Sequence, residues 1–182
     1  MTAAVAVALG TGLVLALSWR SLARPGVHGF YRFFAFESLL VLIVVNAGAW
    51  FVEPLAARQL VSWCLLAISA VLAVHGYRLL RVVGRPVRSE EGGTNLSFEN
   101  TSVLVTAGAY RWIRHPMYAS LLLLGCGAAL KRLSAPSLAL AACAALFLYA
   151  TAKVEERENL ERFGAAYREY AARTRMFVPY LF

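Results

Sequence analysis

The chain has 182 residues, of which 60% are hydrophobic and only 15% charged, with a mean hydropathy of +0.61. Apolar residues at this density, gathered in long runs, exclude a single soluble domain and describe a polytopic membrane protein. The formal charge of +8 comes from 18 Lys and Arg against 10 acids, all glutamate; such a balance suits nucleic acid or the anionic face of a bilayer, and the apolar runs decide for the bilayer.

Apolar runs at residues 2–18, 34–52, 59–77, 117–130 and 135–152 predict an all-α bundle of about five membrane-inserted helices. The first run lacks preceding basic residues and reads as a retained helix, with a cleaved signal as the alternative. The fourth is short, opening at Pro116 and closing at Lys131-Arg132, so runs four and five are expected as full spans or as a tilted hairpin. Cys64, Cys126 and Cys143 lie inside apolar runs without paired spacing or a nearby His, and read as packing residues rather than as a disulfide or metal site. The polar stretch from Gly84 to Asn100 divides the chain into N-terminal helices (1–80), a loop leading into a motif (81–115) and a C-terminal part (116–182). That loop is either a plain connector or a cover for a site.

Arg20, Arg24 and Arg32 fall in the first connection, Arg58 in the second, six arginines in the third, Lys131 and Arg132 in the fourth, and six basic residues in the tail. Connections one and three and the tail thus hold 15 of the 18 positive charges, which places them in the cytoplasm and the N-terminus outside.

The densest chemistry is Gly108-Ala-Tyr110-Arg111-Trp112-Ile-Arg114-His115-Pro116-Met-Tyr118. Pro116 suits the first helical position, so His115 precedes the helix and Tyr118 lies on its first turn, where unsatisfied backbone N–H groups attract an anionic group. The plain alternative is an aromatic and basic interfacial anchor, which Trp112 fits well. Beyond the fifth run, Glu156, Leu160, Phe163, Tyr167 and Tyr170 recur at helical spacing and predict one stripe on one helix. Glu158 is expected to form a solvated pair with Arg162 and, like Glu161 and Glu169, to have no special role.

These two blocks, Gly108-x-Tyr110-x-x-x-Arg114-His115-Pro116-x-Tyr118 and Glu155-Glu156 followed by Phe163-Gly164-x-x-Tyr167-x-x-Tyr170-x-x-Arg173 with a closing Pro179, resemble the isoprenylcysteine carboxyl methyltransferase and phospholipid methyltransferase superfamily over about residues 100–182. The resemblance implies an integral-membrane enzyme that binds S-adenosylmethionine from the cytoplasm and methylates a lipophilic acceptor in the manner of an isoprenylcysteine carboxyl methyltransferase, with phospholipid N-methylation or small-thiol S-methylation as the alternatives. It implies that Tyr110, Arg114, His115, Pro116, Tyr118, Glu155, Glu156, Tyr167 and Tyr170 line the cofactor, that Glu156 also serves catalysis, and that Arg173 faces the acceptor. Ser120 and Asn159 depart from the family pattern, where Gly and an apolar residue are common. Membrane lipids and a lipid-like substrate are the expected partners; neither nucleic acid nor a protein partner is expected. A prokaryotic cytoplasmic membrane is the expected location. A lipid reductase and a non-catalytic lipid-binding adaptor are the competing readings; no Gly-rich dinucleotide fingerprint supports the former.

The N-terminal half is less specific. His28, Arg32 and the aromatic residues between them precede Glu37 and Asn46, which are costly in a membrane and either face a substrate tunnel or bond between helices. His75 reads as interfacial.

Overall fold

A computed structural model describes residues 2–87, 96 and 98–181. Among the described residues six α-helices follow one another: α1 (Ala3–Leu22), α2 (His28–Val45), α3 (Ala57–Val82), α4 (Pro116–Lys131), α5 (Ala135–Phe163) and α6 (Ala165–Arg173), with short 3-10 turns at Ala47–Ala49 and Gly108–Arg111. No strand occurs among the described residues, so the fold is the expected helical bundle. Four helices, α1, α2, α3 and α5, are long and apolar enough to cross a bilayer, and the protein is a multi-pass membrane protein. Helix α4 has 16 residues, roughly 24 Å at 1.5 Å per residue, and falls short of a 30 Å hydrocarbon core.

Two boundaries differ from the hydropathy pattern in ways that matter. Helix α2 starts at His28, six residues before the apolar run, because the polar groups of its first turns find partners on other elements; Arg32 therefore belongs to a buried helix face rather than to a connection. Helix α5 continues without interruption from Ala135 to Phe163, roughly 43 Å, so its last turns pass beyond the hydrocarbon core and carry Glu155, Glu156 and Glu158 to the membrane face. It ends at Gly164, whose backbone (φ 57°, ψ −125°) lies in a region that favours glycine. The expected single stripe from Glu156 to Tyr170 is thus split between α5 and α6, and Tyr167 and Tyr170 approach the site from a separate helix.

Helix α2 packs between α1 and α5, and α3 lies along α4. In lipid, where apolar burial gives little drive to associate, small residues and inter-helix hydrogen bonds hold such contacts. Ser62 donates to the carbonyl of Gly127 (2.7 Å) and Ser69 to that of Ser120 (2.7 Å). A Cβ at Gly127 would sit 2.9 Å from Leu66, which measures how closely α3 and α4 approach. Asn46 donates to the Ala128 carbonyl (2.9 Å) and accepts from Ser137 (3.0 Å), and Glu37 accepts from Thr11 (2.8 Å). Both intramembrane polar residues therefore join helices. Cys64 and Cys126 lie on the outer surface rather than in the packing, and only Cys143 is partly covered.

Candidate functional site

The membrane-face ends of α3, α4 and α5, together with α6 and residues 98–110, enclose a cleft of about 630 Å³, part of it open to solvent. Pro116 opens α4 and puts His115 immediately before it. Three backbone hydrogen bonds fix that position: the Arg114 N–H donates to the Arg175 carbonyl (2.7 Å), the His115 N–H to the Met176 carbonyl (3.1 Å) and the Arg175 N–H to the Trp112 carbonyl (3.1 Å). The C-terminal segment thereby runs parallel to residues 112–115 and locks the motif. Tyr170 adds a clamp, its buried hydroxyl donating to the Tyr110 carbonyl (2.7 Å). At the preceding turn Gly108 has φ 57°, and a Cβ there would lie 2.5 Å from the His75 ring, so glycine is required by both backbone and space. The His75 ring itself accepts from the Ala109 N–H (3.3 Å).

The cleft brings together Tyr110, Arg114, His115, Tyr118, Glu155, Tyr167 and Tyr170. Burial, reinforced by the negative charge of Glu155 nearby, pushes the Tyr110 phenol well above its ordinary range. Burial does the same for Tyr167, helped by Glu156, and for Tyr170. All three phenols therefore stay protonated.

The acids differ in how fully they are satisfied. Glu156 accepts from Arg114 Nε (2.6 Å) and Lys153 (3.2 Å), and Arg114 also donates to the carbonyls of Ala171 (3.2 Å) and Thr174 (2.6 Å). Glu156 thus stands behind the cleft and tethers α6 and the C-terminal segment through Arg114. Glu155 accepts from the Tyr118 hydroxyl, and its nearest cation candidate among the described residues is His115 Nδ1 at 3.9 Å. It is the least compensated carboxylate facing the cavity. The His115 ring is buried, lies parallel to Tyr118 with centroids 5.4 Å apart, and has Nε2 3.7 Å from Glu156, too long for a hydrogen bond.

Arg173 is not in this cleft. Its side chain is 65% exposed and 3.5 Å from Glu169, one helical turn back, and it borders a separate surface recess with Arg111, Trp112 and Tyr170. Trp112 is half exposed beneath the Arg111 guanidinium (5.3 Å), the arrangement expected of an interfacial anchor.

A second polar cluster was not legible as such in the sequence. His28 Nδ1 pairs with Glu158 (2.6 Å) and its backbone N–H donates to the same carboxylate (3.0 Å), so Glu158 is a tertiary partner and not the solvated mate of Arg162. Arg162 points instead toward Asn100 (3.5 Å). His28 Nε2 reaches Glu99 (3.2 Å), and Arg32 donates to Glu99 from the other side. Burial opposes ionisation of Glu99, but the His28 hydrogen bond and the Arg32 charge outweigh it and hold its carboxyl down at about 2. Glu99 also lines the cleft, so this part of the loop covers the site; residues 88–95 and 97 of the expected 84–100 stretch lie outside the described residues. The only hints in the sequence were a His and an Arg one turn apart at the start of an apolar run.

The assembly defines a class: a helical membrane protein with an acidic, tyrosine-lined cleft at one membrane face. The phospholipid methyltransferase family matches residues 57–166, which include α3, α4, α5 and the His115 motif. The chain belongs to that family and is a membrane methyltransferase. No curated protein and no solved structure matches it.

Proposed function

We propose that the cleft binds S-adenosylmethionine and that the protein transfers its methyl group to a lipophilic acceptor entering from the bilayer. The observation that carries this reading is the buried Tyr167 hydroxyl, which has no hydrogen-bond partner among the described residues and lines one cleft with the undercompensated Glu155; His115 Nε2 also lacks one and lies 3.7 Å from Glu156. Native proteins seldom leave such atoms unpaired, because each costs about 1–3 kcal/mol. A ligand with both cationic and hydrogen-bonding groups completes them.

In this reading Glu155 holds the cofactor's ammonium or ribose, Tyr167 and His115 supply further hydrogen bonds, and Pro116 and Tyr118 shape the wall. Tyr110 and Tyr170 brace the motif, and Arg114 with Glu156 anchors α6 against it. Bound there, S-adenosylmethionine would supply a methyl already activated on a sulfonium, which the acceptor would take in line while S-adenosylhomocysteine leaves with the carbon–sulfur electron pair. The protein's contribution is to orient the two reactants and exclude water, which is worth up to about 7–11 kcal/mol in favourable cases. Tyrosine faces beside a sulfonium add about 0.5–2 kcal/mol.

Two acceptor chemistries fit. A carboxylate, as on an isoprenylated cysteine, needs no base, and Arg173 would orient it from the separate recess that shares Tyr170 with the cleft. A phospholipid amine loses a proton, for which a glutamate near the C-terminal end of α5 is the candidate base, and the description of the matched family fits this acceptor equally. The distribution of basic residues puts the cleft in the cytoplasm, where the cofactor is made, and the N-terminus outside; a prokaryotic cytoplasmic membrane is the setting this reading assumes. Incubating purified protein with a lipid extract and deuterated-methyl S-adenosylmethionine, followed by mass spectrometry, tests the reading. A lipid gaining one labelled methyl identifies the acceptor, and no labelled lipid from any extract contradicts the assignment.

A further inference from the structure

The end of the bundle opposite the cleft carries few charges, and they are not scattered. Only three of the 18 basic residues, Arg58, Lys131 and Arg132, belong to the two connections at that end. All three line one open cleft with Gly48, Ala49, Val52 and Leu133, and no carboxylate lines it. The sole acid in these connections, Glu53, is not part of the lining.

Two of the three cations are held in place. Arg58 donates to the last carbonyls of α4, at Leu130 and Lys131, where a positive charge complements the helix terminus. Lys131 is fully buried, donates to Gln59 (3.0 Å) and lies 3.3 Å from the centre of the Trp63 ring. Gln59 is itself fixed by the carbonyls of Ala49 (2.9 Å) and Val52 (3.0 Å). Three like charges around one space with no counter-charge repel one another, strongly so beside a low-dielectric membrane. An anion in the cleft removes that repulsion. The floor at Gly48 is open, with nothing near the position of a Cβ. The rim is apolar and exposed, with Val52 54% and Leu133 56% accessible in the connections before α3 and between α4 and α5. An anion bound here therefore has an exposed apolar surface directly beside it.

We propose that this cleft binds the phosphate headgroup of an anionic phospholipid, in the leaflet opposite the methyl-transfer cleft, with its acyl chains against Val52 and Leu133. The site is separate from the reaction: it fixes the ends of α3 and α4 to the lipid surface. The exposed Arg132 tunes how strongly the headgroup is attracted, since among the described residues Arg58 and Lys131 are engaged in holding the helices and Arg132 is not.

The test uses the full-length protein in neutral detergent, titrated with phosphatidylglycerol, with phosphatidylcholine, and with inorganic phosphate, with binding read by native mass spectrometry and thermal unfolding. Phosphatidylglycerol is expected to saturate one site and raise the unfolding temperature, phosphatidylcholine to do neither, and inorganic phosphate to compete only weakly. Arg132→Gln is expected to weaken phosphatidylglycerol binding about fivefold, the effect of one cation near a lipid surface, and Arg132→Glu by more, with the unfolding temperature of the lipid-free protein unchanged in both. Equal binding of the two lipids, or full retention of phosphatidylglycerol affinity in Arg132→Glu, overturns the proposal. Saturation by inorganic phosphate with no gain for the lipid overturns the lipid assignment.

Discussion

Glu155 and Glu156 are neighbours in sequence, yet the structure gives them separable work, and replacing each by alanine distinguishes the two. Glu156 lies under Arg114 at 2.6 Å, both side chains about 15% exposed, and Arg114 in turn holds the carbonyls of Ala171 and Thr174. Removing the carboxylate deletes a charge-assisted hydrogen bond worth about 1.5–3 kcal/mol. Partial solvent access and the remaining Arg114 bonds argue for the lower part of that range, about 2 kcal/mol. The loss falls on the docking of α6 and the following strand-like segment, so local opening should become roughly 30-fold more frequent. Trypsin reports this directly, because Arg173 and Arg175 are exposed in the segment concerned and cleavage of a transiently opened region follows its open population. Glu156→Ala is expected to be cut there about 30-fold faster than the parent. Glu155→Ala should be cut at nearly the parental rate but bind S-adenosylmethionine about 10- to 150-fold more weakly, the same 1.5–3 kcal/mol taken from the ligand. Parental trypsin resistance in Glu156→Ala refutes the tether, and parental cofactor affinity in Glu155→Ala refutes the assignment of that carboxylate.

The His28 and Glu158 pair should show strong coupling: each alanine variant is expected to lower stability by about 2 kcal/mol, and the double variant by clearly less than the sum, as a thermal double-mutant cycle will show. Glu99 has its carboxyl depressed to about 2 from an ordinary 4.5, so its contribution is complete above pH 4.5 and fades as pH falls toward 2. Glu99→Gln should therefore flatten the acid limb of the stability profile, and an unaltered limb argues against that depression. Cysteines introduced at Ala172 and Ser97 should resist an impermeant thiol reagent in intact cells and react after lysis; labelling of both in intact cells reverses the orientation. Arg173→Lys, which keeps the charge but loses the planar two-pronged donor, should lower turnover of a carboxylate acceptor while leaving cofactor affinity unchanged, and an unchanged turnover rate removes Arg173 from the acceptor site.

Hydropathy located the helices because burial in lipid is nearly one-dimensional, and the His115 motif was visible because Pro116 marks a helix start regardless of tertiary context. What the sequence concealed was long-range pairing. Glu158 has Arg162 four residues ahead, the spacing of an ordinary surface pair, and nothing local signals that His28, 130 positions away, takes it instead. Glu99 sits in a polar stretch typical of loops, where only the arrival of Arg32 and His28 from α2 makes it a buried partner. The stripe from Glu156 to Tyr170 had helical spacing throughout, but Gly164 breaks the helix and changes which side of the cleft each tyrosine enters from. Arg173 shares the motif's spacing with Tyr167 and Tyr170, yet the end of α6 turns it to solvent.

Equilibrium binding of S-adenosylmethionine to the purified protein, measured by titration calorimetry alongside the His115→Ala variant, tests the central claim most directly. The account predicts one saturable site per chain, displacement by S-adenosylhomocysteine, and roughly 10-fold or greater weakening in His115→Ala with the fold retained. Absence of saturable binding, or binding that His115→Ala leaves untouched, contradicts the placement of the cofactor in this cleft.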